Sequence, residues 1–124
     1  MDRVKCNNIA YNGPGMWKML HAVAVRATTD EKKIFFEKFL EVFMENIACP
    51  SCITETKIFM KNFPIIDYRN IIIDGIDIGY FKWTWELHNT VNQKMGKKIV
   101  TLTDAYKYFT TVKFDCKACI NLDK

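Results

Sequence analysis

Apolar residues recur at helical spacing through one segment after another of this 124-residue chain, and each segment is bounded by a capping or breaking residue. Asn12-Gly13-Pro14-Gly15 reads as a helix start, with Pro14 tolerated in the first turn, and Met16 to Thr28 carries the first apolar stripe. Thr28 followed by Glu31 makes a capping box for a second helix reaching about Ile47, with Phe35, Phe39, Val42 and Phe43 on one face. Pro50 suits the first position of a third helix, which ends near Phe63 ahead of Pro64. Asp77 is placed to cap a fourth, whose apolar face holds Tyr80, Thr84, Leu87, Val91 and Met95, and Gly96 stands where a left-handed residue closes a helix. A short fifth helix runs from about Thr103 to Phe109. Between the third and fourth, Ile71-Ile72-Ile73 has strand propensity, but Asp74-Gly75 and the short length favour a packed connection. The expected fold is all-α, an antiparallel four-helix bundle with a short fifth helix. Residues 12–112 form its one domain, after an N-terminal extension over residues 1–11 and before a tail over residues 113–124.

Nine Phe, five Tyr and three Trp supply ample mass for one interior, which argues against disorder. The net charge of +4 comes from 18 basic and 14 acidic residues without a long run of either sign. The Lys32-Lys33 and Lys97-Lys98 pairs read as solvated helix or loop ends, so no nucleic-acid partner is expected. Met1-Asp2-Arg3-Val4-Lys5 lacks the apolar stretch of a signal peptide, and no apolar run is long enough to span a bilayer. The chain is therefore expected to be soluble and intracellular. Cysteines in such a setting normally stay reduced, so two Cys-x-x-Cys pairs point to metal binding or redox chemistry.

Cys49-Pro50-Ser51-Cys52 falls at the start of the third helix, where unpaired amides and the helix dipole stabilise a thiolate. Two cysteines at that spacing can close a disulfide and exchange it with a substrate dithiol. Zinc sites use the same spacing, and a zinc-binding interaction module would combine this pair with Cys116-Lys117-Ala118-Cys119. Against that alternative stand the long separation of the pairs and a core that needs no metal to fold, so no metal is expected. A thioredoxin-like reductase is a third possibility, but the strands alternating with helices that it requires are missing.

Trp17 and His21 are four apart and share a helix face, which fits either a core pair or an aromatic plane beside a hydrogen-bonding ring. His88 and Asn92 repeat the spacing near Trp85 and Leu87. Buried polar groups left unpaired cost about 1 to 3 kcal/mol, so a helix that aims several inward calls for a polar ligand.

The order Trp17, His21, Cys49-x-x-Cys52, Trp83 and His88-Asn89-Thr90-Val91-Asn92, with a lysine-bearing stretch through Lys94 and Lys97, resembles the FAD-linked sulfhydryl oxidases of the Erv/ALR family. The resemblance implies a bundle that holds FAD at its mouth beside the Cys49–Cys52 pair. It also implies that Trp17, His21, His88, Asn89 and Asn92 line the flavin and adenine sites, that Lys94 and Lys97 meet phosphate or ribose oxygens, and that Gly13 and Trp83 are neighbours. On this resemblance the activity is thiol oxidation in protein substrates or a dithiol relay protein. Electrons pass through Cys49 and Cys52 to FAD and then to O2, giving H2O2. Cys116 and Cys119 are either the family's shuttle pair or a structural disulfide, and Cys6 is free or bridges to another subunit. A homodimer is implied as well. No cysteine lies just upstream of His88 or soon after Lys97, unlike in cellular members. The compact length is similar to the short forms of large DNA viruses, which act in host cytoplasm or virion; a cellular form would work in the mitochondrial intermembrane space.

Overall fold

The computed structural model describes residues 15–46 and 50–111. Helix α1 covers residues 15–25, α2 runs Asp30–Glu45 and α3 Pro50–Asn62. A 3-10 turn at Ile65–Tyr68 leads to two short strands, β1 (Ile72–Ile73) and β2 (Ile76–Asp77), and then to α4 (Gly79–Lys94) and α5 (Leu102–Thr111). The fold is all-α, with α1 to α4 as the bundle and α5 as the short fifth helix.

Helix α4 is the centre of this packing. Its Phe81 ring meets His21 of α1 at 5.8 Å and Phe109 of α5 at 5.9 Å. Tyr80 meets Phe36 of α2 at 5.3 Å, and Trp83 meets Phe59 of α3 at 5.5 Å. A helix surrounded by neighbours is buried on more than one face, which is why Tyr80, Phe81, Trp83 and Thr84 are all inside despite pointing in different directions. Leu20, Phe36, Leu40 and Leu87 complete the core, and each such side chain contributes roughly 2 kcal/mol on leaving water. Gly79 permits the entry to α4, because a Cβ there would lie 1.6 Å from the Tyr68 carbonyl oxygen.

Several local expectations are corrected. The cap of α2 is Thr29, whose hydroxyl accepts from the Lys32 amide, one residue later than the Thr28 box. The inward face of α2 is Phe36, Leu40 and Met44, while Phe35 and Val42 are exposed at 61% and 59%. Asp77 does not cap α4; its carboxylate accepts instead from the buried Lys33 ammonium at 2.7 Å, and Ile78 occupies the cap without a side-chain bond. Met95 is exposed rather than on the apolar face. The connection over 71–77 contains a hairpin, pairing Ile72 with Asp77 and Ile73 with Ile76. Its two-residue loop has Asp74 at φ 52° and Gly75 at φ 77°, the left-handed pair that matches strand twist. Gly96 closes α4 as expected, at φ 71°, with the Lys97 amide donating back to the Asn92 carbonyl at 2.7 Å.

Candidate active site

Helices α1 and α4 bring Trp17, His21 and His88 into one aromatic cluster. The Trp17 and His88 rings stack with centroids 3.9 Å apart and planes within 3°. The spacing of four between Trp17 and His21 puts both on the same face of α1, at 5.8 Å between rings. A hydrogen bond of 2.9 Å joins His21 Nε2 to His88 Nδ1. On its other side, His21 Nδ1 lies 2.8 Å from Thr84 Oγ1, and the Thr84 hydroxyl donates to the Phe81 carbonyl at 2.8 Å. Phe109 of α5 closes over His21 at 5.1 Å.

Both imidazoles are neutral at pH 7. Burial pushes His21 down to about 3, with the neighbouring His88 adding to the effect. Burial also lowers His88 to about 4, helped by the positive charge of Lys97. The cluster thus presents flat, uncharged, polarisable surface at a helix–helix seam, with a cation close by. Such a surface suits a planar heterocycle that carries an anionic group.

The other expected site residues divide. Asn92 is buried one turn beyond His88 on the same side of α4. Lys97 is exposed but near enough to act on His88. Trp83 is fully buried and donates its indole N–H to the Phe63 carbonyl at 2.7 Å, so it ties α4 to the end of α3. Lys94 is paired with Glu55 of α3. Asn89 turns away from the imidazoles: its amide donates to the Val100 carbonyl at 2.8 Å and its oxygen accepts from the Val100 amide. Trp85 donates to the same carbonyl at 2.7 Å. Cys52 falls in the first turn of α3, whereas Gly13, Cys49, Cys6, Cys116 and Cys119 lie outside the described residues.

The sequence pattern of the Erv1 / Alr family matches residues 14–117. The chain belongs to the Erv1/Alr family. It is similar to the mitochondrial FAD-linked sulfhydryl oxidase erv1 of Schizosaccharomyces pombe, 29% identical over 98 residues that cover 74% of this chain and 50% of the relative. A probable FAD-linked sulfhydryl oxidase of Acanthamoeba polyphaga mimivirus is 27% identical over 92 residues, 72% of this chain and 62% of the relative. The FAD-linked sulfhydryl oxidase of African swine fever virus is 25% identical over 95 residues, 74% of each chain. The match thus spans half to three quarters of the length of these relatives. No solved structure matches closely.

Within this Erv1/Alr chain, Thr84 is the site residue that sequence reasoning missed. The helical spacing puts it only on an apolar face, yet a threonine four residues before His88, on the side of α4 that meets α1, is the available signal. No helix among the described residues is long and apolar enough to cross a membrane. No cluster of three or more His, Cys, Asp or Glu among the described residues is placed to hold a metal. The zinc alternative draws on four cysteines of which only Cys52 has a described place in the fold.

Proposed function

We propose that this chain is an FAD-dependent thiol oxidase that forms disulfide bonds in protein substrates, with the overall stoichiometry 2 RSH + O2 giving RSSR + H2O2. The observation that carries the reading is the Trp17–His21–His88 cluster, a flat neutral platform built by residues on which the sequence resemblance to the family rests. Its chemistry fits FAD: stacked rings suit the planar heterocycles, and Lys97 offers a cation to a phosphate.

The thiol chemistry is assigned to Cys49 and Cys52. A substrate thiolate attacks the Cys49–Cys52 disulfide at Cys49 and forms a mixed disulfide, and Cys52 leaves as the thiolate. The second substrate thiol then displaces Cys49, so the substrate leaves oxidised and the pair reduced. Cys52 falls in the first turn of α3, in keeping with the helix-start position that the sequence suggested for the pair. Bound FAD supplies the two-electron acceptor for this dithiol and the route to O2. Cys116 and Cys119 enter the same reading either as a shuttle pair that hands electrons to Cys49 and Cys52 or as a structural disulfide. A homodimer belongs to the same reading, supported by the exposed Phe35 and Val42 on α2, an apolar stripe that a second copy can cover.

The test is the visible spectrum of the purified chain, then oxygen uptake and peroxide release on adding dithiothreitol. A flavin band with dithiol-dependent peroxide supports the proposal. A colourless protein that retains zinc through dialysis overturns it, and gel filtration giving a strict monomer overturns the dimer.

A further inference from the structure

We propose that Thr84 is a positioning residue that dictates which ring nitrogens of His21 and His88 carry hydrogen, leaving the outer nitrogen of His88 as an acceptor for a planar heterocycle with an N–H on its edge. The identity of the heterocycle rests on the flavin reading above; the hydrogen pattern rests on geometry alone.

Thr84 is fully buried, and its hydroxyl donates to the Phe81 carbonyl at 2.8 Å. A hydroxyl has one hydrogen, so toward His21 Nδ1, 2.8 Å away, the Thr84 oxygen can only accept. His21 therefore carries its hydrogen on Nδ1 and a lone pair on Nε2. That lone pair faces His88 Nδ1 at 2.9 Å, so His88 must donate there. A neutral imidazole has only one N–H, which leaves His88 Nε2 bare. No partner for that nitrogen is found among the described residues.

The reverse order fails on the same distances. If Thr84 donated to His21, its oxygen would face the Phe81 carbonyl oxygen at 2.8 Å with no hydrogen between them, inside the core. Two buried acceptors would then oppose each other, a cost of a full unsatisfied group. A proton added to His21 would set its Nε2–H head to head with the Nδ1–H of His88, and burial already disfavours both cations. The relay thus has one sense, from His88 through His21 and Thr84 to the backbone of α4. FAD offers a matching edge N–H twice, on the adenine amino group and on the isoalloxazine imide.

The test uses the full chain, flavin-free and labelled with 15N-histidine, with long-range proton–nitrogen NMR to read which ring nitrogens are protonated. Both histidines are expected as the Nδ1–H form in the wild type and in Thr84→Ser, whereas Thr84→Val, which keeps the shape and removes the hydroxyl, moves both toward the Nε2–H form. In titrations with FAD, Thr84→Val is expected to weaken binding roughly tenfold and Thr84→Ser to restore it, the scale of one lost buried hydrogen bond. Competition by ADP or by riboflavin phosphate that loses its sensitivity to Thr84→Val identifies the adenine or the imide edge as the donor. A wild-type spectrum with His88 as Nε2–H overturns the proposal even if Thr84→Val does not fold. So does a folded Thr84→Val with unchanged histidine signals. A wild type with the expected histidine forms that binds no FAD overturns the flavin reading and leaves the hydrogen pattern standing.

Discussion

Trp17 and His88 face each other with centroids 3.9 Å apart and planes within 3°, although one belongs to the first described helix and the other to the fourth. The His88 plate is held from behind by the hydrogen bonds from His88 through His21 to Thr84, which fix its attitude. Flat surfaces of fixed orientation bind rings with little ordering cost. Removing one plate should therefore act on retention more than on thiol chemistry. Trp17→Ala and His88→Ala are each expected to weaken FAD binding tenfold or more, on the scale of roughly 1 to 3 kcal/mol per aromatic stacking partner. Trp17→Phe should lose less. Flavin content after desalting, at constant circular dichroism, checks the order.

The histidines also make stability depend on pH. Both are depressed by burial, His21 to about 3 and His88 to about 4, from an ordinary value of 6.5. Well above pH 6.5 folded and unfolded states are equally neutral at these positions. As pH falls below 6.5, the unfolded chain takes up protons that the folded chain refuses, and stability declines until about pH 4 or lower. The melting temperature should be level from pH 8 to 7 and fall steadily from pH 6 to 4. A His21→Gln, His88→Gln double variant should show a shallower fall.

Cysteine exchange chemistry gives a sharper functional test. Cys52→Ser and Cys49→Ala should each abolish dithiothreitol-dependent oxygen uptake, a loss of at least about a hundredfold, while leaving the α-helical signal intact. Full turnover by the Cys52 variant, measured with an oxygen electrode, sinks the assignment.

The Lys33–Asp77 ion pair makes a separate prediction about the frame. Lys33 is buried, its ammonium is 2.7 Å from Asp77 Oδ2, and Asp77 Oδ1 is buried without a partner among the described residues. Lys33→Met strands the carboxylate and should cost about 2 kcal/mol, less than a fully buried pair because Asp77 keeps some exposure. Adding Asp77→Asn should recover part of the loss. Urea denaturation of the two single variants and the double variant measures the coupling.

Much of this arrangement is written locally in the chain, and the rest is not. Pro50 and Pro64 bracket α3, and Gly96 closes α4, because those residues restrict or permit backbone angles by themselves. The phase of α2 is not local: Ile34, Phe35 and Phe36 are consecutive, as are Phe39 and Leu40, so several faces are apolar and packing against Tyr80 of α4 selects Phe36, with Leu40 buried on the same side. Thr28 and Thr29 are equally good caps, and one residue of tertiary adjustment decides between them. Asp77 pairs with Lys33, 44 positions away in sequence, instead of capping α4, a partner no local rule can name. At the site, Trp17, His21 and His88 were legible from spacing and family likeness. The turn of Asn89 toward Val100 depends on how the chain folds back after Gly96, and a resemblance to the family could not supply it.

His21 and His88 are separated by 67 positions, and the helix that carries His88 touches every other helix of the bundle. A chain emerging from the ribosome thus exposes Trp17 and His21 long before their counterpart exists. Through that interval α1 holds half of the ring cluster, and the apolar faces of α2 and α3 lack the Tyr80 and Trp83 rings they pack against. Synthesis that stops anywhere before α4 leaves Trp17 and His21 without His88. It leaves sticky helices for chaperones and proteases to clear, so the Trp17–His21–His88 cluster and the finished core are made in one event.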